Sequence, residues 1–184
     1  KPVEWAHEPA AQLTFKSPCE IDPFGVGTAD KVELLLGINA ALGQRDGIEK
    51  ATGRMILRRD QKLYVNSDGS VMENDITMTA VEYTATAVGH GEVKSRSYVP
   101  PPRSLGYENI DADDLMANTD RVARQAVEHL SAKPCPVGKT DLILDPHNLA
   151  LTMHESVGHA TELDRALGME ESLAGRSFAT PDML

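Results

Sequence analysis

Residues 154–159 read His154-Glu155-Ser156-Val157-Gly158-His159, two imidazoles with a carboxylate directly after the first. Neutral imidazole nitrogens are good donors to zinc. A carboxylate beside such a ligand can take a proton from metal-bound water without binding the ion itself. A bound zinc ion lowers the pKa of its water from about 15.7 to about 7, so these residue types together suit hydrolysis at neutral pH. The spacing departs from the familiar helical arrangement. HExxH sets its two histidines at i and i+4, on one helix face. Here they stand at i and i+5. At about 100° per residue, the two rings would diverge by about 140° on a regular helix. One residue absorbed as a π-bulge would bring them back together, and such bulges concentrate at functional sites. Gly158 makes a local distortion cheaper and leaves room for close approach. The spacing therefore predicts a widened or broken helical turn over 154–159.

Such a turn needs elements to hold it. Asp141–Leu144 (DLIL) reads as a short buried strand, and Asp145-Pro146 suits the start of a third helix over about 147–162. The apolar first turn, Leu149–Met153, is expected to bury the motif, where His and Glu would need partners. Upstream, residues 1–27 are Pro-rich and irregular with short extended pieces. Thr28 reads as an N-cap, and Val32, Leu35, Leu36 and Asn39/Ala40 follow at helical spacing, giving a helix over 28–43 ended by Gly43. Residues 50–88 read as β-structure around a turn at Asn66-Ser67-Asp68-Gly69. The stretch 75–88 alternates and is rich in Thr, Val and Tyr, as a half-buried strand is. On a sheet edge it could accept a peptide by strand pairing. Gly89, Gly91 and Pro100-Pro101-Pro102 make 89–109 a loop. A second helix opens near Asp111, with Asp113 and Asp114 in its first turn. Its apolar stripe is Leu115, Thr119, Val122, Ala126 and Leu130, and Pro134 and Pro136 end it. The order β-α-β-β-α-β-α implies an α+β fold. A mainly antiparallel sheet would carry helices on one face, with the motif helix at the C-terminal end.

Composition fits that reading and excludes others. The 184 residues carry 18 Lys plus Arg against 28 Asp plus Glu, a net charge of −10, which disfavours nucleic acid and anionic membrane surfaces as partners. With 41% hydrophobic and 25% charged residues the chain is globular. Aromatics are only 4%, so the core must be built from Leu, Ile, Val, Ala and Met. No apolar run nears the roughly 18–20 residues that span a bilayer, and no signal peptide is visible. The start at Lys1 and the stop in SFATPDML read as a piece of a longer polypeptide. Cys19 and Cys135 form no CxxC pair, and a reducing compartment is the simpler setting for them.

The stretch HESVGHATELD, 154–164, resembles the TldD/PmbA family of metallopeptidases, also called modulators of DNA gyrase. That family's pattern is HExxxH followed by an acidic pair spaced as Glu162 and Asp164 are. LYVNSDGS (63–70), ITMTAVEYTA (76–85), the Gly106-Tyr107 step and LSAKPCPVGKTDLILDP (130–146) extend the similarity over nearly the whole chain. The resemblance implies a middle α+β domain over 1–140 and the truncated start of a metallopeptidase domain over 141–184. It implies Zn2+ held by His154 and His159, with Glu155 as general base. Glu162 and Asp164 would stand behind the ligands. The third protein ligand would be a Cys in a C-terminal β-rich domain, a role that neither Cys19 nor Cys135 matches. Family members form homo- or heterodimers around an enclosed cavity and cleave small, unfolded or leader peptides in the cytoplasm. Ala160-Thr161 departs from the Gly-containing step usual after the second histidine, which bears on the helix exit. With two of three ligands, the chain alone is expected to bind zinc weakly and to lack peptidase activity. The alternative is a non-catalytic accessory subunit or regulatory module that recruits a protein partner, with the His pair structural.

Overall fold

The computed structural model describes residues 9–166 and Met169. They fall into two compact units that divide after Pro134. The rest of the 141–184 segment lies outside the described residues.

The first unit is built on one long strand. β1 (Gln12–Lys16), α1 (Thr28–Gly43), β2 (Ile48–Val65) and β3 (Val71–Gly89) follow in order. β2 pairs antiparallel along nearly the whole of β3. The other side of β3 is covered piecewise. β1 pairs parallel with Val71–Asp75, and β4 (Glu92–Tyr98) pairs antiparallel with Tyr83–Gly89. Between them, Thr79 exchanges backbone bonds with Arg103 at 3.2 and 3.4 Å. The expected turn joins β2 to β3. Asn66 Oδ1 accepts from Ser70 N at 2.9 Å, and Gly69 supplies φ 92°.

The alternation of β3 sorts its side chains. Thr77, Thr79, Val81, Tyr83, Ala85 and Ala87 are buried, while the residues between them from Ile76 to Thr86 are half-buried. The helices pack on the buried face. α1 contributes Ile38 and Leu42, α2 (Ala112–Ala117) contributes Leu115, and α3 (Thr119–His129) contributes Val122, Ala123 and Ala126. Alanines on both sides, Ala85 and Ala87 against Ala123 and Ala126, leave room for close helix–sheet approach. Gly53 does the same under α1, since a Cβ there would lie 3.0 Å from Leu35 Cδ2. The one buried phenol is satisfied: Tyr83 Oη donates to Leu115 O at 2.8 Å. Burial pushes the Tyr83 phenol pKa up. The architecture is α+β, with helices on one face of a mostly antiparallel sheet.

Several expectations change. The loop over 89–109 contains β4, entered by a two-residue turn with φ 54° at His90 and 76° at Gly91, as a type I′ hairpin requires. Its backbone ladder to β3 is accompanied by hydroxyl pairs, Thr84–Ser97 at 2.8 Å and Thr86–Ser95 at 2.9 Å, rather than by a full apolar alternation. The helix expected from Asp111 onward is two helices. Asn118 Nδ2 donates to Asp114 O at 2.9 Å and Thr119 Oγ1 to Met116 O at 2.8 Å, so side chains take the carbonyls at the break. Asp111 is its N-cap, accepting from Asp114 N at 2.9 Å. Gly27, not Thr28, caps α1. β3 is flanked on both sides, so it cannot be the edge that accepts a peptide. The edges are β2 on one side and β1 and β4 on the other, and β2 carries exposed Lys50, Arg54, Arg58 and Lys62, charges that discourage strand addition. Asp141–Leu144 forms no strand. A strand's backbone groups need a neighbour, and among the described residues none pairs with it. Leu142 is 73% exposed and Ile143 99%.

One ion pair ties β2 to the β1–β3 junction and gives the sheet an acid-sensitive joint. Arg59 grips Asp75 with two bonds, Nε to Oδ1 at 2.8 Å and Nη2 to Oδ2 at 2.6 Å. The Asp75 backbone carbonyl accepts from Ser17 N at 3.0 Å. The Arg59 hydrogen bonds hold the Asp75 carboxyl down to about 2. A carboxyl held below its unfolded value contributes stability above roughly pH 4, and that contribution is lost as pH falls through about 2. Arg59→Gln should move Asp75 back toward the ordinary carboxylate range. Carboxyl-carbon NMR titration reads this directly, and an unmoved Asp75 would mean that other groups hold it down.

No helix among the described residues is long and apolar enough to cross a membrane.

Candidate metal centre

The second unit places the motif. Asp145 caps the next helix, accepting from Asn148 N at 2.7 Å, and Pro146 occupies its first position, where a missing N–H costs nothing. α4 (Pro146–Met153) is regular. His154–Gly158 then widens into a π-turn closed by His159 N to His154 O. His159–Thr161 tightens to a single 3-10 turn, and Glu162 leaves the helix at φ −63°, ψ 136°. The widened turn predicted from the i, i+5 spacing is present.

Its effect is geometric. The rings of His154 and His159 lie 4.4 Å apart between centroids, nearly perpendicular at 80°. One donor atom from each of His154, Glu155 and His159 lies within 4.8 Å of the others. No other such group of His, Cys, Asp or Glu occurs among the described residues. His159 Nε2 stands 3.8 Å from Glu155 Oε2. A tetrahedral ion with bonds of about 2.0–2.1 Å would hold its donors roughly 3.4 Å apart, so side-chain adjustment of about an ångström would close the set. Imidazole and carboxylate donors suit zinc and neighbouring divalent ions. The residues present therefore fit a metal.

The change from π to 3-10 winding needs its carbonyls satisfied. Thr161 Oγ1 donates to the carbonyls of Val157 and Gly158, each at 3.0 Å, so Thr161 secures the helix exit. An added Cβ on Gly158 would meet His154 Nδ1 at 3.8 Å, an ordinary contact. Glycine here leaves space beside the ring and is not demanded by the backbone.

The motif is more open than its apolar lead-in suggested. His154 and Glu155 are exposed and His159 is half-buried. No residue of α4 is buried; Leu149 is half-buried and Leu151 is 68% exposed. The two acids expected behind the ligands separate. Glu162 Oε1 lies 2.9 Å from His159 Nδ1. Asp164 accepts from Arg165 N at 2.8 Å and does not join the His–Glu group. Sequence reasoning missed Arg165, whose Nε lies 3.2 Å from Glu162 Oε2. The signal was a basic residue three positions after the glutamate. Cys19 and Cys135 are free thiols, and neither enters the group.

Residues 21–133 match the PmbA/TldA metallopeptidase central domain. The chain is similar to a metalloprotease of Methanocaldococcus jannaschii, 32% identical over 156 residues, covering 83% of the chain and 33% of the relative. It is similar to another metalloprotease, from Methanothermobacter thermautotrophicus, 29% identical over 154 residues, covering 84% of the chain and 34% of that protein. A third, from Synechocystis sp., is 29% identical over 180 residues, covering 94% of the chain and 38% of the relative. The chain thus spans about a third of the length of these curated relatives. The match over 21–133 takes in β2, β3 and β4 and the three helices packed on them, so the chain belongs to the PmbA/TldD family of metallopeptidases.

Proposed function

We propose that this chain carries the catalytic turn of a zinc-dependent peptidase acting on small or unfolded peptides. The observation that carries the reading is the convergence of His154, Glu155 and His159 donor atoms within 4.8 Å, achieved only because the helix widens at the motif. His154 and His159 would hold the ion. Zinc bound there would supply a polarised scissile carbonyl and a more acidic water. Glu155 takes the proton from the attacking water and passes it to the departing amine. Its carboxylate is exposed and beside both imidazoles, so it can reach water and substrate without leaving the turn. Glu162 stands behind His159, and Asp164 accepts from the Arg165 backbone N–H.

With Glu155 reserved for proton transfer, two imidazoles remain as protein ligands, one fewer than catalytic zinc sites use. The third would come from outside these 184 residues. An enclosing partner, a second copy or a related subunit, would shield a turn that is exposed within its own unit. The two free thiols suit a cytoplasmic setting.

Zinc titration tests the ligand count. The 184-residue chain should bind zinc no tighter than micromolar and cleave no peptide, while the full-length protein binds stoichiometrically and cleaves unstructured peptide. Nanomolar affinity in the chain alone would show that its own residues complete the site. A full-length protein that takes up no zinc yet still captures a protein partner would replace the peptidase reading with an accessory role.

A further inference from the structure

The two ring nitrogens of His159 face different groups. Nε2 lies 3.8 Å from Glu155 Oε2. Nδ1 lies 2.9 Å from Glu162 Oε1. A carboxylate only accepts, so a neutral imidazole bonded to it must carry its proton on Nδ1, which leaves the lone pair on Nε2. The backbone explains why Glu162 can reach. The chain leaves the 3-10 turn at Glu162 with ψ 136°, which lets the carboxylate meet the ring from the side away from Glu155. The carboxylate is itself held, since Oε2 lies 3.2 Å from Arg165 Nε and the Arg165 side chain is only 15% exposed.

We infer that Glu162, clamped by Arg165, is a positioning residue that fixes the Nδ1–H tautomer of His159 and so assigns metal binding to Nε2. The inference rests on the reading of His159 as a ligand. A histidine with an unheld ring would spend part of its time in the other tautomer or turned away, and each costs affinity. A carboxylate on the far nitrogen also makes the donating nitrogen more basic.

The test uses the full-length protein and zinc, with dissociation constants from chelator competition. Glu162→Ala should weaken zinc binding by about 10–100-fold. Glu162→Gln keeps an acceptor oxygen without the charge and should recover part of the loss. Arg165→Ala should weaken binding less than Glu162→Ala, and the double variant no more than Glu162→Ala alone, because the arginine acts through the glutamate. In a His159→Ala background, Glu162→Ala should change the affinity no further, an outcome that a merely structural role would not produce. Thermal midpoints of the zinc-free variants should match the parent. An affinity for Glu162→Ala within twofold of wild type, or an equal loss without His159, overturns the inference. If Glu162→Ala does not fold, an affinity for Glu162→Gln indistinguishable from Glu162→Asp and from wild type overturns it instead. A wild-type protein that takes no zinc removes the ligand reading itself, and this inference with it.

Discussion

Glu155→Gln in the full-length protein should cut peptide turnover by about a hundred- to ten-thousand-fold and leave zinc content near one ion per site. The substitution is close to isosteric. It keeps the side-chain volume beside His154 and His159 and removes the charge and, with it, the capacity to take a proton. The geometry allows two readings of Glu155, and the substitution separates them. Its Oε2 is 3.8 Å from His159 Nε2, too far for a hydrogen bond and suited to two groups flanking a common atom. That spacing serves a base beside the ion or a third ligand on it. A base lost to Gln removes the step that accepts and returns the proton, while both imidazoles still hold the ion. A ligand lost to Gln releases the ion as well. Turnover and zinc stoichiometry should therefore be measured on the same preparation. Low turnover with full zinc assigns the proton-transfer role. Low turnover with depleted zinc makes Glu155 a ligand, and retained turnover removes it from the mechanism.

The turn that makes this possible was legible because it follows from arithmetic on one short segment. Histidines at i and i+5 cannot meet on a regular helix, so either they do not act together or the helix widens. The helix over 28–43 and the Asn66–Gly69 turn were legible for the same reason: each rests on local spacing and turn chemistry. The features that were not legible depend on partners distant in sequence. β4 is charged and hydroxyl-rich, and it is a strand because its backbone pairs along Tyr83–Gly89 of β3, with Thr84–Ser97 and Thr86–Ser95 hydroxyl pairs across the ladder. Nothing in Thr77–Ala87 itself says that β3 lies inside the sheet, because that depends on β1, Arg103 and β4 sharing its second side. DLIL has the hydropathy of a buried strand, yet among the described residues no strand pairs with it, and Leu142 and Ile143 are exposed. Burial of the motif failed on the same ground. The apolar turn before His154 stated a need for cover and not the place of it. Glu162 was half legible: the acidic pair drew attention, but only the extended backbone at Glu162 separates its role from that of Asp164.

Gly106→Ala should destabilise the first unit by about 3 kcal/mol, a fall of roughly 10 °C in its thermal midpoint. Gly106 is where three stretches meet. Its carbonyl accepts from the buried Thr79 hydroxyl of β3 at 2.9 Å, and its N–H donates to Glu108 Oε1 at 2.8 Å. The next residue, Tyr107, donates from its backbone to Ile21 O at 2.8 Å. A Cβ on residue 106 would collide with the Ile21 carbonyl oxygen, and would lie 2.5 Å from Glu108 Oε2 and 2.8 Å from Cys19 Sγ. The two side chains could swing aside, but at a cost. Glu108 also accepts from the backbone N–H groups of Glu20 at 3.2 Å and Ile21 at 3.0 Å. Burial pushes the Glu108 carboxyl up, and these amides together outweigh it and hold the carboxyl below the usual range. The Ile21 oxygen cannot move without breaking the bond to Tyr107. The added methyl therefore strains the joint between residues 19–22 and the Gly106–Asn109 turn, and it frees Glu108 to titrate nearer an ordinary carboxylate. Urea denaturation of the chain and its variant checks the magnitude. A loss below about 0.5 kcal/mol would mean that the 19–22 segment yields freely, and that the contacts of Gly106 are not what fastens it to the sheet.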